Sequence, residues 1–284
     1  MSISERLDKV LSNLGYGSRT EIKRDISKGK VMVNGNICKD PSTKVSFSDT
    51  IQHYDEVLIR KEHYYFMMNK APDCITATED PREKTVMDYL NGRHKNMNLF
   101  PVGRLDKETE GLLIFTTNGK FAHHYTSPKH LIDKEYYVEV EGILSDSDVQ
   151  AFREGVILDD GYKTLPGKLI LLGQKDESSP TQGSDLIKED LVIKEKNDLQ
   201  QTSINLLNLD QDINILINSS KISYAKVIIR EGKYRQIRRM FQALGKHVIY
   251  LRREKMGTVV LDPNLQVGSY RELTEVEVEE LISG

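Results

Sequence analysis

The chain contains no tryptophan and only two cysteines, Cys38 and Cys74, among its 284 residues. Two thiols cannot form a disulfide framework, and without a CxxC pair they do not suggest a zinc site. Free thiols in a reducing cytoplasm are the expectation. No apolar run approaches the roughly 18–20 residues that would span a bilayer. The opening residues, Met1-Ser2-Ile3-Ser4-Glu5-Arg6, lack the apolar stretch of a secretory signal. The pattern G-x-x-x-x-G-K-[S/T] is also missing, which argues against a P-loop nucleotide hydrolase. His123 and His124 are adjacent, but no acid or cysteine at ligand spacing completes a metal set, so no metal is expected.

Net positive charge is wanting as well. Forty Lys and Arg face 43 Asp and Glu, a formal charge of −3. Such a sum does not announce a nucleic-acid binder. Its distribution is more informative. Lys226, Arg230, Lys233, Arg235, Arg238, Arg239, Lys246, Arg252, Arg253 and Lys255 crowd thirty positions that hold only Glu231 and Glu254 as acids. The acids gather instead between Asp176 and Asp212 and in the tail from Glu272 to Glu280. Local basic surface for phosphates is therefore available.

The chain is long enough for two domains, and its 38% hydrophobic and 29% charged residues are ordinary for a globular protein. Residues 1–60 read as a small module. Leu7, Val10, Leu11 and Leu14 repeat at helical spacing, and Ser18-Arg19-Thr20-Glu21 has the form of a capping box opening a second helix through Ile22 and Ile26. Gly29 ends that helix, and Val31-Met32-Val33 runs into the hairpin signal Asn34-Gly35. The second helix carries Arg19, Lys23, Arg24 and Lys28, a pattern that fits either a solvated face or a surface for phosphates. After a linker at Arg60–His63, residues 64–284 form the second domain. It opens with an alternating strand, Tyr64–Lys70, that breaks at Ala71-Pro72. Further strands are expected at Leu112–Phe115, Tyr136–Val140, Leu169–Leu172, Ala225–Ile229 and Val259–Leu261, with helices at Val86–Leu90, Asp146–Glu154 and Arg235–Leu244. Strands with a few helices and no strict βαβ rhythm indicate an α+β fold with a mixed, largely antiparallel sheet. Residues 174–222, polar and turn-rich at Ser178–Ser184, read as an insertion with added strands such as Leu186–Ile193 and Ile213–Ile217.

The run Gly103-Arg104-Leu105-Asp106-Lys107-Glu108-Thr109-Glu110-Gly111 places one carboxylate between two basic residues on a tight loop before an apolar strand. An acid so placed can stay ionised and approach a substrate closely, although a surface turn would read the same way. Two later segments share its wording with one family: Lys134-Glu135-Tyr136-Tyr137-Val138, and Arg230-Glu231-Gly232-Lys233-Tyr234-Arg235-Gln236-Ile237-Arg238-Arg239-Met240-Phe241. Together they resemble the pseudouridine synthases. Arg6–Leu11, Ser18-Arg19 and Val33-Asn34-Gly35 resemble the small RNA-binding domain named after small-subunit ribosomal protein four. The likeness covers nearly the whole chain outside 174–222.

The resemblance implies a catalytic domain with a central cleft, and roles for particular residues. Asp106 would be the catalytic carboxylate, acting either as a nucleophile or as a base on the sugar. Arg104 would fill the gap left by a flipped uridine, a task that suits a planar guanidinium. Tyr136 would stack on the uracil and help remove its proton, and Arg238 would support the charge of Asp106. Gln236 and Arg235 would line the cleft, while Lys233 and Arg239 would meet phosphates or shape the helix. Many relatives carry His where this chain has Arg235. No cofactor is required. The partner implied is ribosomal RNA or a ribosomal-subunit assembly intermediate, acted on by a cytoplasmic monomer that touches no membrane. The wording at Glu231–Met240 and Leu251–Leu265 is most like enzymes of the small subunit. A large-subunit target and a non-catalytic assembly factor are the alternatives, and retention of Asp106, Tyr136 and Arg238 speaks against the second.

Overall fold

A computed structural model describes residues 4–176 and 221–283. The segments proposed within the insertion, 178–184, 186–193 and 213–217, lie outside the described residues. Two compact units emerge: residues 1–132 with 253–284, and residues 133–252.

The first unit begins with the small module. Strand β1 (Glu5–Arg6) leads into helix α1 (Leu7–Asn13), which buries Leu7, Val10 and Leu11. Helix α2 (Arg19–Ser27) opens with the expected capping box. Ser18 Oγ accepts from the Glu21 amide at 3.3 Å, and the Glu21 carboxylate accepts from the Ser18 amide at 2.8 Å. Strands β2 (Val31–Val33) and β3 (Asn36–Cys38) form a hairpin around Asn34-Gly35, both at positive φ, the conformation a two-residue turn of this kind requires. Strands β4 (Lys44–Val45), β5 (Ile51–His53) and β6 (Glu56–Val57) complete the module, with β3-β2-β5-β6 in one sheet and β4 paired to β1. Leu7, Val10, Leu11, Ile22, Ile26, Val31, Val45, Ile51 and Leu58 share one core. Full burial of a single Leu, Ile or Val is worth about 1.5–3 kcal/mol.

Strand β7 (Tyr65–Lys70) follows, and all six of its residues are buried. The alternation expected there is absent because β7 lies inside the sheet, paired on one edge and the other, with both faces covered. The helix expected at Val86–Leu90 is a single 3₁₀ turn, Val86–Tyr89. Then come α3 (Gly92–Asn96), β8 (Phe100–Val102), β9 (Glu110–Thr116) and α4 (Gly119–Thr126), which contains His123 and His124.

The second unit comprises β10 (Lys134–Glu141), α5 (Asp146–Glu154), β11 (Lys168–Asp176), β12 (Lys221–Ile229) and α6 (Gln236–Ala243). Strand β13 (His247–Met256), not foreseen as a strand, contributes its first six residues here, and the local order is β11-β12-β10-β13. The β10–β12 and β11–β12 ladders are antiparallel, and Gln174–Asp176 and Lys221-Ile222, counted with the insertion from sequence, extend the second of them. Burial alternates along β10 and β12, so one face is packed, and Phe152 of α5 meets Phe241 of α6 at 5.0 Å.

The chain then returns to the first unit with β14 (Val259–Val260), β15 (Tyr270–Glu272) and α7 (Glu275–Ser283). Strand order there is β13-β9-β7-β15, with β8 on β9 and β14 on β13. Tyr65, Met67, Leu112, Ile114, Phe121, Tyr125, Met256 and Leu281 are among the residues of its core. The fold is α+β with a mixed sheet. No helix among the described residues is long and apolar enough to cross a membrane.

Candidate active site

The residues singled out from sequence fall in both units, and each unit holds its share by its own contacts. In the first, Asp106 and Arg104 sit on the loop joining β8 to β9, framed by Gly103 (φ 78°) and Gly111 (φ 101°). Positive φ at both ends lets the chain turn sharply where a side chain would be strained. Arg104 is exposed, Leu105 buried and Asp106 half-buried. The backbone on each side of Asp106 is gripped. Thr76 Oγ1 donates to the Leu105 carbonyl at 2.8 Å and accepts from the Leu105 amide at 3.1 Å. The Lys107 carbonyl accepts from the Asp73 amide at 3.1 Å, and the Asp106 carbonyl accepts from the Thr109 amide at 3.1 Å.

Lys70 completes this grip. Fully buried at the end of β7, its ammonium donates to the carbonyls of Ala71, Lys107 and Thr109 at 3.0, 3.1 and 3.0 Å. All three N–H donors are thus used on backbone oxygens. Burial pushes the Lys70 pKa down, while Cys74 and the negative charges of Asp106 and Glu108 push it back up. From sequence, Lys70 entered only as the last residue of the strand Tyr64–Lys70 that breaks at Ala71-Pro72. The signal available was a charged residue closing an apolar strand.

In the second unit Tyr136 is buried on β10, opposite Val227 of β12. Its neighbour Tyr137 faces the other way, as strand geometry demands. There it lies 6.5 Å from Tyr224 in a stacked pair and under the Arg252 guanidinium at 5.8 Å, and its hydroxyl donates to Glu139 at 3.0 Å. Burial and the Glu139 carboxylate push the Tyr137 pKa up to about 12.

The segment Arg230–Arg239 is organised around a carboxylate that sequence reasoning passed over. Glu231 is buried and accepts from the Tyr162 hydroxyl at 2.7 Å, the Leu165 amide at 2.8 Å and the Gln236 side-chain amide at 2.9 Å. Gln236 then accepts from the Lys233 amide at 3.0 Å. Gln236, expected to line the cleft, is itself buried and spends its amide on this brace. Arg235 adopts a left-handed conformation (φ 47°, ψ 34°) as it enters α6. Arg238 is half-buried and donates to the Val248 carbonyl at 2.8 Å. Arg239 is held by Asp159 and Asp160, the latter at 2.7 Å, and these carboxylates raise its pKa. The helix-shaping role is therefore the one its contacts serve. Lys233 lies 4.3 Å over the Tyr162 ring and remains exposed, as does Tyr234.

On the small module Arg19, Lys23, Arg24 and Lys28 are all exposed along α2. Arg19 approaches the buried Asp8 at 3.8 Å, which Arg6 grips with two bonds of 3.0 Å. Among the described residues no group of three or more His, Cys, Asp or Glu could hold a metal ion.

Comparison with known proteins places these segments in context. The profile of the RNA pseudouridylate synthases matches residues 64–243, and that of the S4 domain matches residues 5–51. The chain is 38% identical over 275 residues to an uncharacterized RNA pseudouridine synthase of Bacillus subtilis, YtzG, covering 96% of each chain. It is 34% identical over 278 residues to the ribosomal large subunit pseudouridine synthase B of the same organism, covering 98% of this chain and 95% of that one. With the ribosomal small subunit pseudouridine synthase A of Haemophilus influenzae it shares 31% over 279 residues, covering 98% and 99%.

Proposed function

The chain belongs to the RNA pseudouridylate synthase family, with an S4 domain ahead of the synthase region, and from that premise we propose that it converts one uridine of small-subunit ribosomal RNA to pseudouridine with Asp106 as its catalytic carboxylate. The observation that carries this assignment is the double-sided grip on the Asp106 loop, which fixes the backbone on either side of a half-buried carboxylate while leaving Arg104 exposed.

The reaction is an isomerisation. The bond from the sugar C1′ to the uracil N1 breaks, the base turns, C5 bonds to C1′, and the proton lost from C5 is balanced by one gained at N1. Because no atom or electron is gained overall, side chains suffice. Arg104 occupies the space of the extruded uridine in the RNA. Asp106 acts on the sugar, as a nucleophile at C1′ or as a base. Tyr136 presents its ring to the uracil and takes part in removal of the C5 proton, and Arg238 supplies the cation that keeps the carboxylate ionised. Arg235 lines the cleft, Lys233, with Arg19, Lys23, Arg24 and Lys28 of the module, meets RNA phosphates, and Gln236 and Arg239 hold their segment in shape.

The small-subunit target rests on the wording of Glu231–Met240 and Leu251–Leu265. Relatives named for either subunit stand at similar identity, so mapping decides. Chemical mapping of pseudouridine in rRNA from cells with and without this protein should show one small-subunit site lost. A large-subunit loss would overturn the target, and an unchanged map would overturn the rRNA assignment.

A further inference from the structure

Two residues, Tyr54 and Asp55, turn the chain between β5 and β6, where His53 pairs with Glu56. Tyr54 occupies this turn at φ 53°. Glycine, asparagine or aspartate takes that conformation cheaply, and a bulky aromatic residue does so only under strain. Core packing does not explain the choice, because 52% of Tyr54 is exposed. Its hydroxyl makes no hydrogen bond among the described residues. The backbone, by contrast, is well tied: the Tyr54 amide donates to the Lys30 carbonyl at 2.8 Å, and Gln52 Nε2 donates to the Tyr54 carbonyl at 3.0 Å.

The surroundings match one class of ligand. The Lys30 ammonium lies 5.6 Å from the ring centroid, and the His53 ring rests 4.7 Å from it at 55°. His53 is bonded to Asp25 of α2 at 3.2 Å, which ties the turn to the helix bearing exposed Lys23, Arg24 and Lys28. Of the acids that follow, Glu56 is engaged by Tyr16 and Arg93, and Asp55 is exposed. An exposed aromatic ring beside an ammonium group is what an unpaired base and its phosphate require.

We propose that Tyr54 is a stacking platform for an unpaired base of the RNA substrate, with Lys30 meeting the adjoining phosphate. This rests on the reading of the chain as an enzyme of ribosomal RNA and adds a contact outside its catalytic residues.

The test uses the full chain and a transcript of small-subunit rRNA, with binding measured apart from turnover. Tyr54→Gly removes both the ring and the backbone strain. It should weaken binding roughly five-fold or more, leave kcat at saturating RNA unchanged, and keep the melting temperature at or above that of the wild type. Tyr54→Phe and Tyr54→Trp should bind within about two-fold of the wild type, since stacking needs only the ring. Undiminished binding by Tyr54→Gly would overturn the proposal, as would equal loss in all three variants. A wild type that binds the transcript without forming pseudouridine would contradict the functional reading alone.

Discussion

The loop that carries Asp106 and the segment that carries Arg238 solve one problem with opposite charges. In the first unit a buried cation, Lys70, gathers three carbonyl oxygens and so fixes backbone on the far side of Asp106. In the second unit a buried anion, Glu231, gathers donors from Tyr162, Leu165 and Gln236. Each buried charge satisfies its hydrogen-bonding capacity with neutral partners, which is the condition under which burial is tolerable. The difference lies in what is held. Lys70 sets the position of one carboxylate, so its loss should be felt in chemistry. Glu231 shapes a segment that displays Lys233 and Tyr234, so its loss should be felt in RNA binding.

The largest effect is expected for Lys70→Met. Three carbonyls lose their donor, at about 1–3 kcal/mol for a buried group left unsatisfied, partly offset by no longer burying an ammonium. A displacement of about 1 Å in a reacting group costs on the order of 100-fold. Single-turnover assays should therefore show kcat down by roughly 100-fold or more, with RNA affinity within about three-fold of the wild type. Glu231→Gln should do the reverse and more mildly. It should weaken RNA binding roughly ten-fold by titration and lower stability by about 1–3 kcal/mol, with little change in kcat. Equal effects of both variants on kcat would remove the distinction.

A third clamp extends the comparison to pH. Arg271 holds Glu277 through two bonds of 2.8 Å, and this pairing depresses the Glu277 pKa to about 2. A folded-state pKa below the unfolded one, about 4.3 for Glu, means that the pair stabilises the fold above that pH. The contribution is lost as pH falls from there toward 2. Thermal unfolding should show this acid loss in the wild type and a shallower one in Glu277→Gln, by about 1–2 kcal/mol. Smallest of all should be Tyr137→Phe. Among the described residues its hydroxyl bonds to Glu139, on the face opposite Tyr136, so activity should stay within about two-fold. A large loss there would show that the two tyrosines had been exchanged in the assignment.

Much of this was legible in the chain. The capping box at Ser18–Glu21, the Asn34-Gly35 turn and the helix Asp146–Glu154 all carry local signals that tertiary contacts did not override. Strand β13 was hidden because Arg252-Arg253-Glu254-Lys255 reads as part of the basic surface. In fact Arg253 is buried and its Nε donates to the Leu112 carbonyl at 2.8 Å. Lys70 and Glu231 were missed for the same reason. A charged residue placed inside a fold to hold backbone leaves no periodic trace, since its partners are main-chain atoms and distant side chains. Gln236, a polar residue in the same basic segment read as lining the cleft, likewise spends its amide on the buried Glu231.

The role of Asp106 is tested by comparing wild type with Asp106→Asn on a small-subunit rRNA transcript, measuring pseudouridine formed and RNA bound in the same preparation. Asparagine keeps the size of the side chain but removes its charge and nucleophilicity. Turnover should vanish while binding remains within about three-fold of the wild type. Substantial pseudouridine formation by Asp106→Asn would contradict the assignment of the catalytic carboxylate.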